Sequence, residues 1–413
     1  MTMNQTLNIT GLGGKGDGLA LAGDQPIHVP YTAPGDVVTA EIDKKSRGRL
    51  VEIITPSPHR MEAPCPVFGS CGGCSVQHIS ADYIAKWKRD QIITALEHRG
   101  FEAPNVAQTI TLPAGLRRRA SLSLRRQGKK VEVGFLASKS HNLVPIEACP
   151  ALHPDLSALI PALGRLAGPL MTRKGEMRAR LTLTDTGIDL DLAGGREPDG
   201  RQRLALVEEV RKAKLARLTL NGDICVAVQN PVLNMGKAKV PIFPGAFLQA
   251  SAEGEQTLQK LVTEAAAGCQ RIVDLFCGLG TFTLPLAAHA EVLAIDSHTP
   301  SLDALKSAAN HVQGLKRIKV ERRDLAQHPL SAIELKKYDC VVFDPPRAGA
   351  EAQVVSLGPS SISKVIGVSC NPASFARDAR ILCDAGYTLT RITPVDQFVW
   401  SAHIELVGEF ERP

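Results

Sequence analysis

Aromatic residues, long apolar runs and signs of secretion are scarce in this chain of 413 residues. Aromatic side chains make up only 4% of it, and residues 1–10 lack the cationic and apolar regions of a secretory signal. No apolar run reaches the roughly 18 residues that a membrane-spanning helix needs. We therefore expect a cytoplasmic protein without a membrane partner, long enough for two or three domains.

Disulfides are not expected, because the reducing cytoplasm keeps cysteine thiols free. Each of the 10 cysteines is then a core residue, a metal ligand or a nucleophile. The formal net charge of +6 is compatible with a polyanionic partner. Many proteins that never touch nucleic acid are equally basic, so the charge alone decides nothing.

The first half of the chain is dominated by strand-like alternation. Residues 5–55 alternate apolar and polar side chains between glycine and proline turns, which predicts a small β-barrel. A cluster of prolines follows, residues 79–100 have helical spacing, and residues 116–225 look β-rich. We expect a barrel domain over 1–56, a central β-rich domain over 57–235 and a third domain over 236–413.

From about residue 255 onward, apolar strands alternate with helices, which is the pattern of a doubly wound parallel sheet. The predicted strands are 271–276, 291–295, 318–321, 338–343, 364–369, 387–395 and 403–410, and two of the predicted helices are 281–289 and 302–311. The third domain is therefore expected to be a Rossmann-like α/β domain.

The first strand of this domain leads into a glycine turn. The segment from Asp274 to Gly280 has the form D-x-x-x-G-x-G, and glycines there let the backbone approach a ligand. Asp296, about twenty residues on, can hydrogen-bond ribose hydroxyls, and Asp324 follows the third strand. The pattern favours an adenosine cofactor without a pyrophosphate. The alternative is a turn that merely needs glycine.

Two later strand ends carry reactive groups. Amine-directed methyltransferases have an aromatic residue where Arg347 stands in Asp344-Pro-Pro-Arg347, so N-methylation is disfavoured. The next strand ends at Cys370, where a thiol would face the cofactor crevice. Glu405 lies between apolar neighbours, and burial would raise its pKa toward the range of a general base. The alternatives are a small core side chain for Cys370 and a strand-edge carboxylate for Glu405.

A thiol, a base and a methyl donor in one crevice suit methylation of uracil at carbon 5. Addition of a thiolate to carbon 6 turns carbon 5 into a nucleophile, which can attack an activated methyl group. A base must then remove the proton from carbon 5 so that the thiolate can leave.

Several segments resemble the RNA uracil-C5 methyltransferase family, and the resemblance covers nearly the whole chain. The segments are Phe247-Leu248-Gln249, Asp274 to Gly280, Asp344 to Gly349, Ser369-Cys370-Asn371-Pro372 and His403-Ile404-Glu405. The resemblance implies S-adenosylmethionine as methyl donor, Cys370 as nucleophile and Glu405 as general base. It implies that the methyl donor is surrounded by Gln249, Phe276, Gly278, Thr281, Asp296, Asp324 and Asp344.

Four other cysteines have the spacing of a metal site. Cys65-x5-Cys71-x2-Cys74 is followed much later by Cys149. Four thiolates can hold an iron–sulfur cluster or a zinc ion, and structural zinc sites more often have two C-x2-C pairs. A [4Fe-4S] cluster is therefore favoured, as in the iron–sulfur members of the family. The cysteines predicted to be core residues are Cys225, Cys269, Cys277, Cys340 and Cys383.

The N-terminal strands resemble a TRAM domain, an RNA-binding β-barrel. Together with the cysteine cluster they resemble the 23S ribosomal RNA branch of the family, because the transfer-RNA branch typically lacks both. We expect a monomer that acts on 23S ribosomal RNA. The alternatives are uracil-C5 methylation of transfer RNA, cytosine-C5 methylation, and a non-catalytic RNA-binding iron–sulfur protein.

The densest basic run is a further candidate for RNA contact. Phosphate groups would be bound by Arg117, Arg118, Arg119, Arg125, Arg126, Lys129 and Lys130. The alternative is a solvated strand face, which is the usual role of a charge run.

Overall fold

The computed structural model describes residues 3–412, and in this range the chain forms five β-sheets. Residues 1, 2 and 413, at the outer ends of the predicted first and third domains, lie outside the described residues. Within 3–412, no helix has the length and apolar character to cross a bilayer.

Six short strands form the N-terminal region. They are β1 (Met3–Asn8), β2 (Gly11–Leu12), β3 (Gly18–Ala22), β4 (Gln25–Val29), β5 (Val37–Ile42) and β6 (Gly48–Thr55). They pair as two three-stranded antiparallel sheets, in the orders β1-β5-β6 and β2-β3-β4. Alternate side chains such as Leu7, Ile27 and Val38 meet between the two sheets in one small core.

The segment after these strands packs on the C-terminal sheet. Helix α1 (Ala81–Glu97) places Ile92 and Leu96 in the core of that sheet. Strand β7 (Ile110–Thr111) pairs in parallel with its outermost long strand. Part of the predicted central domain is therefore physically attached to the catalytic one.

A seven-stranded sheet forms the central region. Its elements are β8 (Arg119–Gln127), β9 (Lys130–Leu136), β10 (Leu143–Pro145), α2 (Pro154–Ala167), a 3₁₀ turn (Gly168–Leu170), β11 (Glu176–Thr184), β12 (Gly187–Ala193), α3 (Gly200–Lys212), β13 (Leu215–Leu220) and β14 (Asp223–Ala227). The strand order is β10-β9-β8-β11-β12-β13-β14, and β12 and β13 run parallel with α3 between them. A hairpin of β15 (Val232–Met235) and β16 (Ala238–Pro241) follows. The region is β-rich, as predicted, but α2 and α3 were not anticipated.

The C-terminal region is a helix-flanked sheet. Its elements are α4 (Ala252–Ala265), β17 (Arg271–Leu275), α5 (Thr283–Leu286), β18 (Glu291–Asp296), α6 (Thr299–Asn310), β19 (Ile318–Arg322), α7 (Ala332–Leu335), β20 (Cys340–Phe343), α8 (Glu351–Leu357), β21 (Lys364–Ser369), α9 (Pro372–Asp384), β22 (Thr388–Asp396) and β23 (Glu405–Glu411). The strand order is β19-β18-β17-β20-β21-β23-β22-β7, and β23 runs antiparallel to its neighbours. The predicted α/β fold is confirmed.

The order of this sheet reverses beside its first strand. From β17 the chain moves outward to β18 and β19, then returns to β20 on the other side of β17. Such a reversal opens a crevice at the carboxyl ends of the two central strands, where ligands bind in open α/β sheets. The parallel direction of β17, β18, β20 and β21 brings the predicted residues at their ends to one edge.

Some predicted boundaries were wrong by a few residues. Helix α5 is confined to Thr283–Leu286, whereas a helix over 281–289 was predicted. Helix α6 begins earlier than predicted, at Thr299, because Pro300 fits the first turn of a helix. The last strand begins at Glu405, so the two residues before it belong to the loop that follows β22.

Candidate active site

The glycine turn after β17 has a backbone that few residues can adopt. Phe276 has a φ of 60°, which is unusual for a bulky side chain, and Gly278 has a φ of 52°. Gly280 has a φ of 93°, and a Cβ there would lie 2.5 Å from the Leu305 side chain on α6. The turn therefore depends on glycine both for its conformation and for the close approach of α6.

Asp296 ties the end of β18 to this turn. One carboxylate oxygen accepts a hydrogen bond from the Gly278 amide at 3.0 Å, and the other accepts from the His298 amide at 2.8 Å. Each oxygen retains a second lone pair that a ligand hydroxyl could use. The predicted ribose-binding carboxylate is thus held at the crevice by backbone donors.

Asp274 lies beneath the turn. One of its oxygens accepts from the Thr283 hydroxyl at 2.5 Å, and the other has no hydrogen-bond partner among the described residues. Burial raises the pKa of Asp274 to about 7, against the opposing hydrogen bond from Thr283. A buried, unpartnered carboxylate oxygen suits a cationic ligand group such as an ammonium.

A chain of amide and carboxyl groups lines the other side of the crevice. Gln249, just before α4, donates to a carboxylate oxygen of Asp344 at 3.3 Å. Gln397, just after β22, donates in turn to the Gln249 side-chain oxygen at 2.8 Å. Burial raises the pKa of Asp344 to about 7. Two strand ends and the start of α4 are therefore joined by side-chain hydrogen bonds.

Cys370 lies between β21 and α9, where the strand turns into the helix. The side chain of Asn371 caps the helix by accepting from the Ala373 amide, and its own amide group donates to the Arg347 carbonyl at 2.9 Å. Burial, followed by the charges of Glu405 and Asp344, raises the pKa of the Cys370 thiol to about 11. The Arg347 guanidinium opposes this rise.

Glu405 opens β23 and is only 5% exposed. Burial and then the charge of Asp344 raise the pKa of Glu405 well above its ordinary value. A hydrogen bond from Gln397 and the charge of Arg347 act in the opposite direction. A buried carboxylate with a raised pKa beside a thiol has the properties of a general base paired with a nucleophile.

The four predicted metal-binding cysteines share one cavity with the catalytic crevice. A cavity of about 1100 Å³ is lined by Cys65, Cys71, Cys74 and Cys149 and also by Cys370. Burial raises the pKa of Cys74 to about 11, and the charges of the other three thiols add to the rise. However, within residues 3–412 no group of three or more His, Cys, Asp or Glu side chains is arranged to hold a metal ion. This geometry does not support the predicted cluster.

Comparison with known proteins gives consistent matches. Residues 204–410 match the family described as tRNA (Uracil-5-)-methyltransferase. An uncharacterised RNA methyltransferase of Caulobacter vibrioides is 45% identical over 99% of this chain and 100% of its own. The 23S rRNA (uracil(1939)-C(5))-methyltransferase RlmD of Shewanella halifaxensis is 30% identical over 98% of this chain and 95% of its own.

The chain belongs to the uracil-5 RNA methyltransferase family. It is therefore an S-adenosylmethionine-dependent methyltransferase, as predicted from its motifs. A solved structure of similar fold is the tRNA (uracil-54, C5)-methyltransferase of Pyrococcus abyssi in complex with S-adenosyl-L-homocysteine, with a TM-score of 0.77 and 24% identity. It covers 98% of this chain and is itself covered completely.

The structural match spans the N-terminal strands and the cysteine segment as well as the C-terminal sheet. At 24% identity it shows that the fold is shared over essentially the whole chain.

The structure brings some predicted cofactor residues together and leaves others apart. Gln249 contacts Asp344, and Asp296 contacts the glycine turn. Thr281 lies in the turn before α5, where its carbonyl accepts from Gln259. Asp324 is exposed beyond β19, and its side chain accepts hydrogen bonds from the amides of its own turn. Roles for Thr281 and Asp324 remain predictions.

Sequence reasoning missed Gln397. This side chain is buried and donates to Gln249, which donates in turn to Asp344, so it extends the hydrogen-bonded chain of two predicted site residues. A signal was present, because Gln397 directly follows the end of β22, as Asp344 follows β20 and Cys370 follows β21. Its partners are far away in sequence, and only the fold reveals them.

The side chains of the densest basic run do not share one environment. Arg118 is buried and forms an ion pair with Glu255 at 2.6 Å, so the prediction that it binds phosphate is wrong. Arg126 donates to the backbone carbonyls of Gly168 and Met171. Because successive residues of β8 point to opposite faces, a run of basic residues along it cannot form one surface.

Proposed function

We propose that this protein transfers a methyl group from S-adenosylmethionine to carbon 5 of a specific uridine in 23S ribosomal RNA. The observation that carries the proposal is the meeting of Cys370 and Glu405 in one crevice. Strands β21 and β23 pair antiparallel with Ser369 opposite Leu406, so Cys370 and Glu405 are neighbours where this pairing ends. A cysteine nucleophile and a buried carboxylate base are the two groups that this reaction requires.

The proposed chemistry assigns one task to each group. The Cys370 thiolate bonds to carbon 6 of uracil, and the electron pair of the 5,6 double bond moves into an enolate. The methyl donor, when bound, would supply an electrophilic methyl group on a sulfonium; as carbon 5 bonds to it, the carbon–sulfur bond would break and the sulfur would keep the electron pair as a neutral thioether. Glu405 takes the proton from carbon 5, the double bond forms again, and the Cys370 sulfur leaves as a thiolate.

The side chains around the glycine turn fit a sulfonium amino acid joined to adenosine. The unpartnered oxygen of Asp274 suits its ammonium group, and Asp296 suits the ribose hydroxyls. The left-handed glycines leave the backbone open to close approach. The remaining proposed contacts of the methyl donor are Gln249, Phe276, Gly278, Thr281, Asp324 and Asp344.

A row of arginines on the central sheet is the proposed path for RNA near the site. Cross-strand pairing places Arg119 and Arg125 of β8 on one face with Arg178 and Arg180 of β11, a row about 20 Å long at about 3.3 Å per residue. Arg119 stacks over Phe247, two residues before Gln249. The ion pairs described on this face, Arg125–Glu176 and Arg180–Asp191, leave Arg178 as an exposed arginine for a phosphate.

We further propose the division into domains over 1–56, 57–235 and 236–413. In this proposal the first is a TRAM-like RNA-binding barrel, and the target uridine is flipped out of its stack to reach the thiol. All the reacting groups come from one chain, so we propose a monomer. Ribosomal RNA and the methyl donor meet in the cytoplasm, where we propose that the protein acts.

A methyl-transfer assay tests the proposal. Protein purified without oxygen is given S-adenosylmethionine labelled in the methyl group, with unmodified 23S ribosomal RNA or total transfer RNA, and nucleosides are separated after digestion. We expect label in 5-methyluridine from ribosomal RNA, and none with Cys370→Ala. Label in transfer RNA would replace the substrate but keep the chemistry, and label in 5-methylcytidine would overturn the uracil assignment.

We also propose that Cys65, Cys71, Cys74 and Cys149 hold a [4Fe-4S] cluster. The support is that the four thiols line one cavity and influence one another electrostatically. Iron and sulfide analysis of anaerobically purified protein should give about four of each per chain. Cys74→Ser should lose most of both, whereas Cys383→Ser, away from this cavity, should keep them. Zinc without sulfide would overturn the proposal.

A further inference from the structure

Loop 397–404 connects β22 to β23 and forms one wall of the cavity that contains Cys370. Every residue of this loop except Trp400 lines that cavity of about 1100 Å³. Glu405, the first residue of β23, pairs with Val395 of β22, and the chain immediately before it belongs to the loop. The loop therefore connects the cavity wall to the candidate base.

Trp400 packs on a core that other parts of the chain build. This buried cluster consists of Ala33, Val76, Ile79, Ile84 and Trp87. Its members come from the N-terminal region between β4 and β5, from the segment after Cys74 and from α1. Three regions that precede the C-terminal sheet in sequence are therefore packed behind the loop.

The backbone of Trp400 is left-handed, with a φ of 64°, which is unusual for a bulky side chain. Its carbonyl oxygen accepts hydrogen bonds from two consecutive amides, that of Ser75 at 2.9 Å and that of Val76 at 3.2 Å. These bonds use both lone pairs of the oxygen. A strained residue keeps such a conformation only where the surrounding structure holds it, and such strain concentrates at functional sites. Here the two amides hold it.

Ser75 and Val76 are themselves packed against the turn between β2 and β3. Gly16, in that turn, has a φ of 85°, and a Cβ there would lie 2.8 Å from Val76 Cγ1 and 2.9 Å from Ser75 Oγ. The turn is closed by a hydrogen bond from the Gly16 amide to the Gly13 carbonyl at 2.9 Å. A continuous line of contacts therefore runs from the N-terminal strands through Ser75 and Val76 to Trp400.

The start of the loop has a separate anchor. The Lys88 ammonium, on α1, is completely buried and donates to Asp396 at 2.6 Å and to the Phe398 carbonyl at 3.1 Å. The same Asp396 oxygen accepts from the Phe398 amide at 3.0 Å. For residues 399–404, the only backbone–backbone hydrogen bonds to other parts of the described chain, 3–412, are those of the Trp400 carbonyl. The second half of the loop thus depends on this one attachment.

We propose that Trp400 is a positioning residue: its carbonyl, held by the amides of Ser75 and Val76, fixes loop 397–404 so that Glu405 reaches the bound uracil. This inference rests on the proposed uracil-C5 reaction and deepens it. Trp400 itself does not touch the reacting atoms. The N-terminal strands act through Ser75 and Val76, so they support the loop of the candidate base in addition to any contact with RNA.

The first test compares the turnover of Trp400→Asn and Trp400→Val. Both variants lose the indole, but asparagine tolerates the left-handed conformation, whereas a β-branched residue rarely adopts it. We expect Trp400→Val to form 5-methyluridine about fivefold to thirtyfold more slowly than Trp400→Asn. If Trp400 only filled the core, an apolar side chain would be tolerated better than a polar one. Equal rates, or a faster Trp400→Val, would overturn the positioning role.

The step that slows is the second readout. Glu405 acts after methyl transfer, so a displaced base should leave methylated RNA bonded to Cys370. Denaturing electrophoresis of labelled RNA should therefore show more of this adduct with Trp400→Val than with Trp400→Asn, at equal amounts of folded protein. A merely structural defect would slow turnover without raising the amount of adduct, and that result would overturn the inference.

The line of contacts from the N-terminal strands is tested by fluorescence. Trp87 and Trp400 are the two tryptophans of the chain, so Trp87→Phe leaves Trp400 as its tryptophan fluorophore. In this background Gly16→Ala should shift the emission maximum to longer wavelength, because the added methyl group displaces Ser75 and Val76. The matched control is Gly23→Ala, which has a similar φ of 62° but nothing within 4 Å of the added carbon. Equal shifts in the two variants, or none with Gly16→Ala, would overturn the inference.

The emission of Trp400 does not depend on methyl transfer, so the two proposals can fail separately. If the unaltered protein, purified without oxygen, forms no 5-methyluridine, the proposed function fails, and the positioning role fails with it. If it forms 5-methyluridine but Gly16→Ala leaves the emission unchanged, the positioning role fails alone. Should neither Trp400 variant fold, the comparison of Gly16→Ala with Gly23→Ala keeps the indole and still decides the outcome.

Discussion

The carboxyl edge of the C-terminal sheet and the cysteine-lined cavity wall beside it differ in how far the protein alone organises them. At the sheet edge, Asp296, Gln249 and Asp344 are held by hydrogen bonds of 2.8 to 3.3 Å to other groups of the protein. On the cavity wall, four thiols face a common space, but within residues 3–412 they are not arranged as metal ligands. Contacts within the protein fix the site residues at the sheet edge, whereas they do not bring the four described thiols into a metal-binding arrangement.

The physical reason lies in the elements that carry the two sets of residues. Asp296 and Asp344 lie at the ends of β18 and β20, which are paired on both sides, so each backbone is fixed by a ladder of hydrogen bonds. Cys65 to Cys74 lie in turns, where one bridge from Cys71 to Ala137 and the bond from the Gly72 amide to the Leu136 carbonyl connect them to β9. Turns allow side chains more freedom than strand ends do.

Substitution of the candidate base, Glu405, should give the largest effect. It tests the sheet edge, where hydrogen bonds hold the site residues. In Glu405→Gln, the proton on carbon 5 cannot be removed, so turnover should fall by about 10²–10⁴-fold. The Cys370 adduct with methylated RNA should accumulate, and denaturing electrophoresis of labelled RNA would detect it. Glu409→Gln, on the same strand and away from the crevice, is the matched control and should retain normal turnover. Loss of turnover without any adduct would show that Glu405 acts before methyl transfer.

Removal of the buried Lys88 ammonium tests whether the turn after β22, at the sheet edge, depends on α1 for its stability. Lys88→Met leaves Asp396 buried without a partner, which should lower the free energy of unfolding by about 3–5 kcal/mol. The matched control is Lys86→Met on the same helix, whose ammonium is 72% exposed and whose pair with Asp90 is worth about 0–1 kcal/mol. Denaturant unfolding measures both. Equal losses in the two variants would mean that the Lys88–Asp396 pair does not hold this turn.

Much of the sheet edge could be predicted from sequence because Asp296, Asp344 and Cys370 each stand at the end of a recognisable strand. Cys370 and Asp344 come directly after apolar runs, and the parallel order of an α/β sheet brings such ends together. The same logic missed Gln397, since its hydrogen bond goes to Gln249, a partner that strand order alone does not identify. The left-handed conformation of Phe276 also has no sequence signal, because bulky residues rarely adopt it.

The central region was harder to predict for a different reason. Helix α2 has buried leucines at helical spacing, including Leu156, Leu159 and Leu163, but strands on both sides and Pro161 within it concealed the pattern. The direction of Arg118 depends on the register of β8, which places it against Glu255 from α4. The sequence shows a run of basic residues. Which of their side chains face the protein interior is fixed only when the strand pairs with its neighbours.

Substitution within the arginine row of β8 and β11 should give a smaller effect. It tests the proposed path for RNA. Arg178→Ala should weaken binding of ribosomal RNA fragments about threefold to tenfold and lower the salt dependence by about one charge, because a phosphate contact is lost. Filter binding at several salt concentrations measures both. The matched control is Lys260→Ala on α4, an exposed cation that should leave binding unchanged. An equal loss in the two variants would indicate general charge attraction and not a path along β8 and β11.

The smallest expected effect concerns the thiol itself. Arg347 lowers the pKa of Cys370, which burial and two carboxylates raise to about 11. In Arg347→Met the pKa should rise further, so less thiolate exists at pH 8 and alkylation of Cys370 should slow by up to about fivefold, the effect of an exposed charge. Mass spectrometry of Cys370 after timed iodoacetamide treatment measures the rate, with Arg391→Met on β22 as the control. Since alkylation below the pKa rises about tenfold per pH unit, the two rate profiles should stay parallel and offset. Profiles that coincide would mean that Arg347 leaves the thiol unaffected.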